Sequence, residues 1–207
     1  MTTARGRACE RLRADLLRRP ATAWEVLADV VRVAGVVSIV VAGVGGGATD
    51  AAVLLLAASA SLLPRMLGLR GGLDAGFGLV VLVAAWSGVL DLYTSIAWWD
   101  VAVHVVCTGV VSIVALVVLA RAGAIAPPRS SSTWMPVVLA TTVGLALSAL
   151  WEIVEWLGHT LVDSQIFVAY DDTIGDVVAG GVGALLGGVV AGLVRLERVR
   201  ADAGRAP

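Results

Sequence analysis

The sequence predicts an all-α, polytopic transmembrane bundle of six spans with both termini cytoplasmic, and three observations predict it. Of 207 residues, 58% are hydrophobic and only 15% are charged, whereas a soluble domain carries about 25% charged residues. Six apolar runs lie near residues 26–44, 50–67, 75–92, 99–120, 134–157 and 174–194, each close to the roughly 20 residues a helix needs to cross a hydrocarbon core. Outside these runs, arginine is confined to alternate connections, as the positive-inside rule requires.

Residues 1–22 form a basic arm carrying Arg5, Arg7, Arg11, Arg13, Arg18 and Arg19. The first span opens with Glu25, Asp29 and Arg32, close enough to a surface for these side chains to snorkel to headgroups. Gly45-Gly46-Gly47 ends it, and the second, shorter span has Pro64 near its close. Arg65 and Arg70 separate spans two and three, Arg121 and Arg129 separate spans four and five, and Arg195, Arg198, Arg200 and Arg205 follow span six. The connections after spans one, three and five hold no Lys or Arg. A membrane domain over 23–196 and a basic cytoplasmic tail over 197–207 complete the organisation, and adding or dropping a span would break the alternation. Trp98, Trp99, Trp151 and Trp156 are expected as interface anchors at the outer level, with Trp24 and Trp134 at the inner one.

Composition also excludes. A net charge of −1 gives no field for nucleic acid, and the apolar runs make the expected environment a lipid bilayer. Cys9 and Cys107 make no disulfide framework or cysteine zinc site. No cleavable signal is expected, because Asp29 and Arg32 interrupt the first apolar run.

The chemistry gathers at the expected outer end. Asp100 and His104 are four apart and share a helical face. Glu152, Glu155 and His159 fall within a sector of about 60° at 100° per residue. Asp172 and Asp176 share a third face, which continues through Gly180, Gly183 and Gly187, a spacing of small residues that lets helices pack closely. Thr108, Ser112 and Ser148 extend the stripes below His104 and Glu152. Ionisable groups one turn inside a span are expensive and face the bundle interior. Carboxylates with imidazoles and no thiolate suit Zn, Mn or Fe as a divalent metal, and helix-borne Glu and His at such spacing are how bundles build metal sites. The same groups could instead relay protons, or hold helices together as a hydrogen-bonded network. Asp172 with Thr173 equally suits a helix N-cap.

Tyr93, Trp98-Trp99-Asp100 with His104, Ala149-Leu150-Trp151-Glu152-Ile153 with Glu155, and Asp172-Thr173 with Asp176, Gly183 and Ala184 follow one another in an order that resembles the YjdF-like family of bacterial inner-membrane proteins. The resemblance covers roughly residues 60 to 190 and implies the fold and the site, but no reaction. A looser likeness to VanZ-type proteins rests on the Asp-x-x-x-His at a helix start and the late Asp ahead of Gly-Ala, and implies a role near the cell envelope. Gly180 departs from the Asn or Asp that the YjdF-like pattern places there.

These readings converge on an outward-facing acidic/His site. It would be built from Asp100, His104, Glu152, Glu155, His159, Asp172 and Asp176, bind a divalent metal or protons, and act on an envelope or lipid-linked substrate. A small ion-coupled transporter and a non-catalytic assembly factor are the alternatives. The seven glycines of the last helix could also serve an oligomer.

Overall fold

A computed structural model describes residues 4–130, 134–164 and 166–198, without the side chains of residues 4, 5, 7–9 and 11. The side chains of Arg5, Arg7, Cys9 and Arg11, and all of Arg200 and Arg205, therefore lie outside the described residues. The helices are α1 (Ala4–Leu16), α2 (Ala23–Gly45), α3 (Ala48–Ala60), α4 (Leu63–Met66), α5 (Gly71–Val89), α6 (Leu92–Ser95), α7 (Trp99–Arg121), α8 (Trp134–Leu161) and α9 (Tyr170–Leu193). Among the described residues, six segments are long and apolar enough to cross a membrane: α2, α3 with α4 (Ala48–Met66), α5, α7, α8 and α9.

Local chemistry sets the ends of these helices. Thr22 caps α2 by accepting from the Glu25 N–H at 3.3 Å, and Glu25 Oε2 accepts from the Ala21 N–H at 2.7 Å, a near relative of the capping box. The turn from α2 to α3 passes through Gly47 at φ +102°, a conformation that a side chain would strain.

Burial then sorts the helices into two groups of three spans. On α2 the inward line is Glu25, Ala28, Val31, Gly35, Ser38 and Ala42, one stripe of a 3.6-residue period. It packs on α3 and α5, and α3 packs on α5. In the second group α9 packs against both α7 and α8, and α5 against α7 joins the groups. Val33, Val36, Val40 and Val44 of α2 point outward and are exposed, as suits a surface solvated by lipid tails.

The first group encloses charge. Arg32 of α2 donates to Asp29 at 2.9 Å, to the Ser61 carbonyl at 3.2 Å, and to Asp74 of α5. Arg65 of α4 donates to the carbonyls of Leu16 at 2.8 Å and Arg18 at 2.5 Å, and to Asp29. Arg18 stands 3.0 Å from Glu25 and 3.7 Å from Asp74. Burial lowers the pKa of the Arg18 guanidinium, and the Glu25 carboxylate opposes that shift. Glu25, Asp29 and Arg32 therefore do not simply snorkel: their side chains turn in to a network that ties α1, α2, α4 and α5 together. The physical reason is that an arginine some 14 Å along α2, at 1.5 Å per residue, is better matched by a carboxylate on the next helix than by distant headgroups.

The chain after α9 returns to the same end. The Arg70 N–H donates to the Leu196 carbonyl at 2.9 Å and the Arg198 N–H to the Gly68 carbonyl at 3.1 Å, an isolated antiparallel bridge at Leu69 and Glu197. Glu197 accepts from Arg121 at 2.6 and 2.9 Å, and Arg198 pairs with Asp15 at 3.0 Å.

Candidate functional site: an Asp/His cluster above a seam of small residues

Three stripes converge to make the site. The buried line of α8 is Pro136, Ala140, Gly144, Ser148 and Glu152, each four residues on from the last. On α9 it is Ala191, Gly188, Gly187, Ala184, Gly183, Gly180 and Ala179, rising to Asp176. On α7 it includes Ser112, Gly109, Thr108 and His104. Small residues bring the backbones together. A Cβ on Gly183 would fall on the Val105 carbonyl, one on Gly187 on the Gly109 carbonyl, and one on Gly144 on Ala184. Each stripe ends in an ionisable residue, so close packing below forces His104, Glu152 and Asp176 together above.

His104 Nε2 lies 3.4 Å from Asp100 Oδ1 and 3.9 Å from Asp176 Oδ1. One ligand atom from each of Asp100, His104 and Asp176 falls within 4.8 Å of the others. Ligand atoms around a tetrahedral ion bound at 2.0–2.1 Å would sit roughly 3.3 Å apart, so the triad is open by about an ångström or less on its two ion-pair edges. Glu152, 8% exposed, keeps its Oε1 buried and without a hydrogen-bond partner, within Coulombic reach of His104 and Asp100. An unpaired buried carboxylate oxygen is a costly group, and this one lies within electrostatic reach of the triad without belonging to the three whose ligand atoms fall within 4.8 Å of one another. Ser148 donates to the Asp176 carbonyl at 3.3 Å and Ser112 to the Gly109 carbonyl at 2.8 Å. Below them Ile113, Leu116, Val117, Ala140 and Ala191 form an apolar core, so the polar column stops midway.

The remaining sequence candidates stand apart from the triad in different degrees. Asp172, half-buried on the first turn of α9, lies within Coulombic reach of Asp176 and Glu152. The N-cap position belongs to Ala169 with no side-chain cap. Glu155 accepts from Trp151 Nε1 at 2.8 Å, which engages it with an interface tryptophan. His159 Nδ1 lies 2.6 Å from the Ile166 carbonyl and donates to it, folding the chain back over the end of α8. His159→Ala is therefore expected to cost about 1 kcal/mol, the worth of one hydrogen bond. It should speed protease nicking between α8 and α9 while leaving the triad intact.

At the rim, Tyr93 donates to the Ala84 carbonyl at 2.8 Å and Trp99 Nε1 to Ser87 at 2.8 Å. Burial raises the Tyr93 pKa, and the Asp100 carboxylate raises it further, so the phenol stays a donor. Trp98, Trp151 and Trp156 are 63%, 41% and 53% exposed, available to headgroups as interface aromatics are.

The whole six-span region carries a family signature. Residues 26–198 match the model of a family described as "Predicted membrane protein (DUF2238)". The chain belongs to this family. No curated protein and no solved structure matches it. The matched DUF2238 region includes all four residues of the cluster and Asp29, Arg32, Arg65 and Asp74 of the charged network, and the description supplies membrane residence without a reaction.

That network was absent from the sequence candidates. Asp74, 1% exposed, is an acid on the first turn of α5, immediately before the apolar run at 75–92 and four residues after Arg70. The signal was there: the intramembrane charge that singled out His104 and Asp176 applies equally to Asp74 and Arg32.

Proposed function

We propose that this DUF2238 protein binds a divalent cation through Asp100, His104 and Asp176, with Glu152 completing the set, at the end of the bundle that faces away from the cytoplasm. The carrying observation is the buried, unpartnered Oε1 of Glu152 beside three groups already within 4.8 Å of one another. Carboxylate and imidazole without thiolate favour Zn, Mn or Fe. Orientation rests on the arginines. Arg65, Arg70, Arg121, Arg195 and Arg198 mark one end, and Asp176 lies about 28 Å from Arg195 along α9 at 1.5 Å per residue. The positive-inside rule then turns the cluster outward.

A bound cation there would activate water or polarise an oxygen of an envelope or lipid-linked substrate. This chain's own residues would hold the ion, and the apolar floor from Ile113 to Ala191 would keep water from passing through. The same floor weighs against an ion-coupled transporter, which needs polar continuity to the other side. The likeness to YjdF-like proteins, carried by the same residues, supports a bacterial inner-membrane home.

The test is metal analysis and titration of purified protein, wild type beside His104→Ala and Asp176→Asn. Loss of a direct ligand should exceed the about 10–100-fold loss of affinity that removing an outer partner brings. Wild-type affinity should weaken as pH falls, because the ligands must give up protons to the metal. Equal, negligible metal in wild type and variants would sink the reading.

A further inference from the structure

At the opposite end of the bundle lies a cleft of about 510 Å³ between the starts of α2 and α5 and the chain after α9, lined by residues that include Trp24, Glu25, Gly72, Arg70, Arg195 and Arg198. That volume is in the range of small-ligand sites, about 300–1,000 Å³. Its charges are not balanced. Glu25 is held by Arg18 at 3.0 Å and Glu197 by Arg121 at 2.6 Å, so both acids on the wall are neutralised from outside the cleft. Arg198 is held by Asp15 at 3.0 Å, yet its Nε is buried with no hydrogen-bond partner. Arg70 and Arg195 make no ion pair among the described residues.

The backbone adds to this. Gly71 and Gly72 line the cleft as the first residues of α5, and its N-cap, Arg70, gives no side-chain cap. The free N–H groups of a first helical turn favour an anion. Arg70 and Arg195, unpaired among the described residues, and the uncapped turn thus present donors, while both acids on the wall are engaged in ion pairs. Bidentate guanidinium donors match a phosphate oxygen pair. The depth points to the source. The cleft sits where two spans begin, and Trp24 on its wall is 59% exposed, as headgroup-level tryptophans are.

We propose that this cleft binds the phosphodiester headgroup of an anionic phospholipid from the arginine-side leaflet. Basic pockets between spans on that side of a membrane take such headgroups.

The test uses the full-length protein in nanodiscs of phosphatidylcholine alone, of phosphatidylcholine with phosphatidylglycerol, and of that same mixture with added inorganic phosphate. Native mass spectrometry reads the retained lipid. Wild type should retain phosphatidylglycerol over phosphatidylcholine by about tenfold, the effect of one to two arginines near a headgroup. Arg70→Gln with Arg195→Gln should abolish the preference. Neither side chain pairs with a carboxylate, so an unchanged melting temperature in phosphatidylcholine is expected to confirm folding. Gly72→Phe should abolish it with every charge kept, because a side chain there enters open space. Arg129→Gln, at the same end and away from the cleft, should leave it intact. Equal lipid retention by wild type, a preference that survives both cleft changes, or an equal loss in Arg129→Gln would each overturn the proposal. Displacement of phosphatidylglycerol by inorganic phosphate at similar concentration would overturn the lipid as the source.

Discussion

Gly183→Val is expected to dismantle the packing of α9 on α7. A Cβ at position 183 would land on the Val105 carbonyl, and that contact is backbone against backbone, so no side-chain rotation relieves it. Overpacking usually costs about 1–3 kcal/mol and occasionally more; here the helices must separate, and the upper end or beyond is expected. Separation removes the close approach that brings His104 within 3.9 Å of Asp176, so stability and cation binding should fall together. The comparison is Gly175→Ala on the same helix, where a Cβ meets nothing within 4 Å. It should be neutral or slightly stabilising, because Gly is the poorer helix former by about 1 kcal/mol. Thermal unfolding in detergent and gel filtration read both variants. A monodisperse Gly183→Val protein with an unchanged midpoint would show that the seam is not a close contact.

The seam explains why so much of the site was legible. Residues at i and i+4 share a face in any helix, so Asp100 with His104, Ser148 with Glu152, and Asp176 with Gly180 and Gly183 could be aligned from spacing alone. Membrane length fixed the helices, and the cost of buried charge fixed which residues point inward. Spacing could not reveal how far each helix extends beyond its neighbours. On α8 the line of four-residue steps reaches the neighbouring helices as far as Glu152, and one step further Trp156 is 53% exposed. Glu155 and His159 lie towards that overhanging end: Glu155 accepts from a tryptophan while staying within Coulombic reach of Glu152, His104 and Asp100, and His159 finds a loop carbonyl. The network of α2, α4 and α5 was harder still. Arg32 and Asp74 are 42 residues apart in the chain, and no periodicity within one helix links them. Its arginines were also explained already by topology, which hid their second role as partners for buried acids.

Asp74→Ala is the test of that second role, and it is expected to destabilise the protein by about 3–5 kcal/mol, as removing one partner of a buried ion pair does. Arg32, whose side chain is 11% exposed, would keep Asp29 at 2.9 Å but lose its partner on α5, and Arg18 would lose its second carboxylate at 3.7 Å. Two buried guanidinium groups would then share Asp29 and Glu25 with Arg65. Adding Arg32→Leu to Asp74→Ala removes one of the uncompensated charges, so the double variant should be less damaged than the sum of the singles, with a coupling of about 1–3 kcal/mol. Additive losses would mean that Arg32 and Asp74 do not act on one another. The metal titration of the Asp74→Ala protein separates the two ends of the molecule. The network lies in the first three spans and the cluster in the last three, joined through α5 and α7. Cation affinity measured below the lowered unfolding midpoint should therefore stay within about threefold of wild type, well under the loss from changing a ligand.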